Sequence, residues 1–245
     1  LQEVFRQAEV SSIVRNAHRI NRGQMPECQP GSDFSMEEFA DEEHAAAYIA
    51  ALYARAASDK SWRALQVLSP MHRGICGVQN LNTLLQDRVN PSAPAKSEII
   101  LPGGVALRLG DKVMQIRNNY EKDVYNGDIG QIAEITDKTV KVWYPDRQDE
   151  EYVTYEDGEY DELQLAYAMS VHKSQGSEYA QVVVVLVPGH YIMLQRNLLY
   201  TAVTRAREKV ILVGTKAALQ TAVANDRTRR RYSLLKERLQ ETGEL

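Results

Sequence analysis

The spacing of apolar and polar positions divides the chain into a helical amino-terminal stretch, a middle of short alternating runs, and a carboxyl-terminal stretch of mixed strand and helix character. Ser11–Arg22 carries apolar residues at helical spacing between a Ser cap and Gly23, which predicts a helix. Gln24–Ser35 is rich in turn residues. Glu42–Ala57 predicts a second helix, built from strong helix formers with carboxylates in its first turn. Ala64–Leu68 reads as a short strand ending at Ser69-Pro70, and Gly74–Val89 as a helix with Val78, Leu81, Leu84 and Leu85 on one face. From about Pro91 to Leu163 the runs become short and alternating: Val105–Leu109, Lys112–Arg117, Gly130–Ile135, Val140–Tyr144 and Tyr152–Tyr155. Asn126-Gly127 among them predicts a type I′ hairpin turn, which needs positive φ at both central residues. The whole stretch predicts a small β-barrel. Leu165–Val171, Val182–Val187 and Val210–Val213 then return to strands, and the unbroken apolar run of Val182–Val187 is that of a strand buried on both faces of a parallel sheet. One α/β domain interrupted by a β-barrel is the expectation.

Composition narrows this little. At 245 residues with 44% hydrophobic and 25% charged positions, the chain has enough apolar material for one large or two small domains. No apolar run approaches the ~20 residues of a membrane span, and LQEVFRQAEV lacks the basic-then-apolar pattern of a signal peptide. The opening without Met, in mid-pattern, leads to the expectation of an excised fragment. Cys28 and Cys76 form no CxxC pair, which points to reduced thiols and a cytoplasmic protein. The net charge of −4 is unevenly spread. Asp149, Glu150, Glu151, Glu156, Asp157, Glu159, Asp161 and Glu162 crowd one stretch, so the remainder of the chain is net basic. The five histidines, His18, His44, His72, His172 and His190, show no metal-binding spacing, and no metal site is expected.

Two polar runs beside apolar strands carry the candidate chemistry. Met169–Tyr179, MSVHKSQGSEY, places hydroxyl, amide and cationic groups at a turn whose Gly176 allows close backbone approach. Leu198–Val210, LLYTAVTRAREKV, puts Thr201 and Arg205 one helical turn apart, and a guanidinium held there offers a planar fork to phosphate oxygens. Ser69–Gly77, SPMHRGICG, leads into LNTLLQ; it sets a strand end against a helix amino terminus, with Arg73 near the backbone amides. That segment reads either as an anion site or as a plain strand–turn–helix connection. Arg227, Arg229, Arg230 and Arg231 read either as a solvated face or as a nucleic-acid contact. Asp41-Glu42-Glu43-His44 resembles an acidic magnesium box, but it opens a helix instead of following a buried apolar strand, so the metal role is refused.

VHKSQGSEY and YTAVTRAR resemble motifs V and VI of superfamily 1 helicases, and specifically those of the RecD/TraA-type branch. The similarity extends to Phe5-Arg6-Gln7, which in that branch opens the second motor domain, and to the Pro–Gly–LN–LQ segment around residues 70–86. It implies a RecA-like parallel sheet with helices on both faces, residues 1–93 and 164–245, interrupted by an SH3-like β-barrel at 94–163. It further implies that Arg6 and Arg205 are catalytic arginines facing a γ-phosphate, and that Gln175, Gly176 and Glu178 bind the nucleotide. His72, Arg73, Asn82, His172, Lys173 and Ser174 would contact single-stranded DNA. The implied cofactors are ATP and Mg, held mainly by a first RecA-like domain that this sequence does not contain. No Gly-Lys dipeptide occurs, so the phosphate-binding loop is missing and the chain by itself is expected to be inactive.

The implied function is the carboxyl-terminal motor half of an ATP-dependent 5′-to-3′ DNA helicase of DNA repair or recombination. Its partners would be single-stranded DNA, the first motor domain of the same protein and, in one setting of the family, recombination nuclease subunits, with no membrane. A non-catalytic nucleic-acid-binding module with a decayed motor fold, and the helicase part of a conjugative relaxase, remain open beside it.

Overall fold

The computed structural model describes residues 11–58, 65–101, 103–145, 147 and 152–226. In chain order the elements are α1 (Ser12–Asn21), β1 (Phe34–Glu38), α2 (Glu42–Ser58), β2 (Leu65–Ser69), α3 (Val78–Val89), β3 (Glu98–Ile100), β4 (Ala106–Arg108), β5 (Lys112–Gln115), β6 (Ile129–Ile135), β7 (Thr139–Trp143), β8 (Val153–Glu156), β9 (Leu163–Leu165), β10 (Ala168–Ser170), β11 (Tyr179–Leu186), α4 (Arg196–Val203), β12 (Ala206–Gly214) and α5 (Lys216–Ala224). Short 3-10 segments lie at Tyr160–Glu162 and Pro188–Met193.

Five strands build a wholly parallel sheet in the order β1-β12-β11-β2-β10. Strand side chains alternate between faces, and the apolar run of β11 serves both. Val183 and Val185 join Val67, Ile211 and Val213 under α2 and α3, where Ile49, Tyr53, Leu81 and Leu85 are buried. Val182 and Val184 join Leu68, Val210 and Leu212 under α1, α4 and α5, where Ile13, Ile20, Leu199 and Leu219 are buried. This is the RecA-like arrangement, helices on both faces of a parallel sheet. None of the described helices is long and apolar enough to cross a membrane.

Between α3 and β10 the chain leaves this sheet and forms the β3–β4 hairpin and an antiparallel sheet in the order β8-β7-β6-β5-β9. The expected single strand Leu165–Val171 is in fact divided. Leu163–Leu165 pairs with β5, and three residues later Ala168 pairs with Val67 of β2. Ala166 and Tyr167 make the crossing, and Gln66 holds them there by donating from Nε2 to both carbonyls at 3.2 Å. The segments 94–163 expected as the barrel therefore end next to a strand of the other sheet.

A buried polar junction joins the two sheets. Asp111 accepts four hydrogen bonds: from Gln86 Nε2 and Asn90 Nδ2 of the α3 end (2.6 Å each), from the Arg108 amide (2.7 Å) and from the Tyr167 hydroxyl (2.8 Å). Burial raises its carboxyl pKa, and the hydrogen bonds act in the opposite direction. Lys112, next along the chain, points the other way and donates to the Leu65 carbonyl (3.2 Å) and to Gln66 Oε1 (2.9 Å).

Three local expectations change. Asn126-Gly127 does not form a type I′ turn: only Gly127 has positive φ (108°), and Asp128 N donates to Tyr125 O at 3.0 Å, as in a type II turn with Gly third. The turn closes a long loop between β5 and β6 instead of a two-residue hairpin. The helix expected from Gly74 starts at Val78, because 70–77 folds as a turn in which Ser69 Oγ donates to the Cys76 carbonyl. β1 lies inside and beyond the stretch read as turns; its alternation is only two apolar residues long, Phe34 and Met36, which pack in one core, and its pairing at the sheet edge is with β12, far along the chain.

Burial lowers the Lys112 pKa from 10.5 to about 7. In the unfolded chain the ammonium keeps its proton to the higher value. Between the two values the unfolded state binds more protons, so stability rises with pH across that window and levels off on either side. Lys112→Met should abolish this part of the slope. Urea midpoints of both proteins measured from about pH 7 to about pH 10.5 would check it; parallel curves would show that the lysine is not held neutral.

Candidate nucleotide and nucleic-acid interface

Residues 171–178 leave the carboxyl end of β10 and return to the amino end of β11 without a helix. Successive tight turns make this possible: Ser174 N donates to Ser170 O, Gln175 N to His172 O and Ser177 N to Ser174 O. Gly176 sits at φ 92° with nothing within 4 Å of where a Cβ would stand, so a ligand has open access to the backbone there. His172, Gln175 and Glu178 are exposed, and Lys173 is half-buried with its Nζ 2.9 Å from Asn126 Oδ1 of the β5–β6 loop. Ser174 is different. It is fully buried and its hydroxyl donates to the Val171 carbonyl at 2.8 Å, so it secures the turn and is not presented to a nucleic acid.

Arg205 was expected on a helix, but α4 ends at Val203. Thr204 Oγ1 turns back to the Tyr200 and Thr201 carbonyls, and Ala206 already begins β12. Arg205 thus lies in the connecting turn. Its Nε donates to the Thr201 carbonyl (3.2 Å), its Nη1 to the Ser177 carbonyl (3.1 Å) and its Nη2 to Thr204 Oγ1 (3.4 Å). Its own carbonyl accepts from Tyr179 N at 2.8 Å. Thr201 meets Arg205 through its backbone, its hydroxyl being given to Asn197 O. The structure therefore brings Arg205 against the 176–178 segment, with part of the five-donor fork still open for a ligand. Beside them is a cavity of about 80 Å³ between this turn and α4, with polar walls from His172, Gln175, Gln195, Asn197 and Thr201.

His72 and Arg73 are exposed in the turn after β2. β2 and β10 are parallel neighbours with Ser69 opposite Ser170, so this turn and the 171–176 turn leave the same edge of the sheet side by side. The amide cradle expected at the α3 amino terminus is not open: Val78 N and Gln79 N donate to the Met71 and His72 carbonyls. Asn82 also departs from expectation. It is buried, donates to the Ala168 carbonyl and accepts from the Ala168 amide, both at 2.9 Å. In this way a side-chain amide satisfies the outward backbone groups of edge strand β10, as a further strand would. Asp41 is likewise spent on α2, accepting from His44 N and His44 Nδ1. Arg6, Asp149–Glu151 and the arginines at 227–231 lie outside the described residues.

Sequence reasoning missed Asn126, the partner of Lys173, and Gln195 and Asn197 in the cavity wall. Asn126 was visible as half of a turn dipeptide, which concealed its side-chain role. Nothing in the local pattern marks the other two.

Comparison with known proteins agrees with this architecture. A structure of two Pif1 helicases coordinating DNA unwinding at forked duplex DNA superposes with a TM-score of 0.56 at 17% identity, over 99% of this chain and 54% of that one. The UvrD-like helicase C-terminal domain matches residues 165–213, which hold both tied segments. The SH3 domain of ATP-dependent RecD-like DNA helicases matches residues 81–144, beginning inside α3. An ATP-dependent RecD2 DNA helicase from Deinococcus radiodurans is 35% identical over 96% of this chain and 31% of its own length. A RecBCD enzyme subunit RecD from Mycobacterium tuberculosis is 37% identical over 55% of this chain and 22% of its own. The chain belongs to the RecD/TraA-type superfamily 1 helicases and matches their carboxyl-terminal part. It spans about a third or less of the length of these relatives.

Asn82→Ala should strip the β10 edge of two buried hydrogen bonds and cost about 2–3 kcal/mol of stability. Chemical denaturation would measure that loss. A variant as stable as the parent but weaker on DNA would return Asn82 to the DNA-contact role.

Proposed function

We propose that the chain is the second motor domain of an ATP-dependent DNA helicase that moves 5′ to 3′ along single-stranded DNA. Residues 1–93 and 164–245 form that motor and 94–163 its inserted SH3-like unit. The observation that carries the proposal is the bonding of Arg205 to the Ser177 carbonyl, which fixes a guanidinium beside Gly176 and Glu178. The backbone access at Gly176 and the open donors of the guanidinium fit a nucleotide phosphate better than a purely structural role. Gln175, Gly176 and Glu178 would face the bound nucleotide, and Arg205 and Arg6 its terminal phosphate. ATP with its magnesium, held mainly by the preceding motor domain of the same protein, supplies the phosphoryl group that is transferred. Arg205 would stabilise charge developing on that group, as arginine fingers do.

His172 and Lys173 on one turn, and His72 and Arg73 on its neighbour, supply cationic and hydrogen-bonding groups for a phosphodiester backbone along one sheet edge. Polarity of movement is supported by the likeness to RecD-type helicases. The same reading has the protein working in the cytoplasm, with recombination nuclease subunits as partners in the RecD setting.

The test is Arg205→Ala in the helicase that carries this chain together with a first motor domain. Turnover should fall by about 10³–10⁵, while DNA affinity changes little. Loss of the bonds to 177 and 201 should cost only about 1 kcal/mol of stability. Arg205→Lys should restore little turnover, because an ammonium lacks the planar fork. Arg207, exposed two residues further on β12, serves as control and should tolerate Ala. Equal losses at 205 and 207 would remove the assignment.

A further inference from the structure

The β5–β6 loop carries two tyrosines outside any core. Tyr120 is 76% exposed and Tyr125 42%, yet the loop holding them is rigidly anchored. Asn119 and Val124 exchange both backbone hydrogen bonds, at 2.8 and 3.1 Å, and close a four-residue turn with Asp123 in the left-handed region at φ 51°. Beneath it, Arg147 Nη1 donates to the Lys122 carbonyl at 2.6 Å. Lys122 Nζ donates to the Thr154 carbonyl at 2.7 Å, pairs with Glu159 and lies over the Tyr155 ring. The two exposed rings meet nearly at right angles (76°) with centroids 6.0 Å apart, so most of the Tyr120 ring is left open. Water gains nothing from such a ring, and a clamped turn gives it no way to fold inward.

A chain of hydrogen bonds leads from this ring to the 171–176 turn. Asn118 Nδ2 donates to the Tyr120 hydroxyl (3.3 Å), Asn126 N donates to Asn118 Oδ1 (2.9 Å), and Lys173 Nζ donates to Asn126 Oδ1 (2.9 Å). One of the three ammonium donors is used in this way, which leaves two for a ligand.

We propose that Tyr120, braced by Tyr125, is a stacking platform for one unpaired base of the single strand whose backbone passes Lys173. The proposal rests on the single-stranded-DNA reading given above. A base suits the surroundings. The Tyr120 hydroxyl meets the Asn118 amide, the Tyr125 hydroxyl donates to Asp123, and Glu121 and Asp123 in the same turn carry negative charge that disfavours a phosphate but not a flat heteroaromatic face. A protein partner would need contiguous apolar surface, and here two rings stand among polar neighbours. Stacking on tyrosine tolerates any base, which a translocating motor requires.

The experiment is fluorescence anisotropy of the 245-residue chain with a dye-labelled thymidine oligonucleotide at low salt, and with the same strand made of abasic nucleotides. Tyr120→Ala should weaken binding of the thymidine strand about 5–20-fold, and Tyr120→Phe should stay within about twofold of the parent because the ring remains. The parent should prefer the thymidine strand over the abasic one; Tyr120→Ala should bind both alike. Tyr120→Ala should also keep the parent's salt dependence, whereas Lys173→Ala should reduce the log–log slope by about 0.7. Parent-like binding by Tyr120→Ala, equal loss in the Ala and Phe variants, or indifference of the parent to missing bases would each overturn the platform while leaving DNA binding intact. Absence of any binding by the parent would overturn both the platform and the DNA reading on which it rests.

Discussion

The carboxylate of Asp111 is the constraint on which the arrangement of the two sheets depends. A charge sealed from water is tolerable only when its lone pairs are met, and the four donors that meet it come from the end of α3, the β4–β5 turn and Tyr167. Those donors lie on both sides of the junction between the parallel sheet and the inserted unit. Moving either side leaves a buried carboxylate short of partners, so the unit has one docked position. Tyr167 extends the junction inward, its ring edge against Tyr53 of α2 at 5.8 Å. Lys112 and Gln66 fasten the neighbouring strand in the same manner with a neutral-leaning amine.

How much of this was legible depended on whether a feature is local. Helix α1 was readable to within a residue because a cap and a periodic face sit in the same stretch, Ser11 accepting from Ile13 N as its type suggests, and α2 because strong helix formers follow two carboxylates in its first turn. The run Val182–Val187 announced a central parallel strand because both its faces are apolar. β1 was not readable, since its only strand partner, β12, lies far along the chain and its outward face is polar. Nor was the division of Leu163–Ser170 between two sheets, which depends on Gln66, 100 residues before Ala166.

The candidate site shows the same limit in its chemistry. Residue type and spacing brought Arg205, Gly176 and Glu178 forward, and the fold does bring their segments together. Asn82 and Ser174 were offered for the same reason, yet a side-chain amide or hydroxyl that could bind phosphate can equally close an edge strand or lock a turn. Only burial separates the two uses. The Asp41 box was refused as a magnesium site because it opens a helix instead of following a buried apolar strand; the strand that precedes it, β1, ends in two glutamates, and the Asp41 carboxylate caps α2.

The crossing at Ala166 and Tyr167 has a mechanical consequence. A single extended segment leaves the antiparallel sheet at Leu165 and enters the parallel sheet at Ala168, and two residues after Ser170 it reaches His172. The inserted unit and the 171–176 turn are thus spliced in series on one taut length of backbone, with no slack loop to absorb displacement. Force applied to the small sheet by anything it grips is delivered along that splice to the turn beside Arg205, in the way a tendon delivers load to a joint.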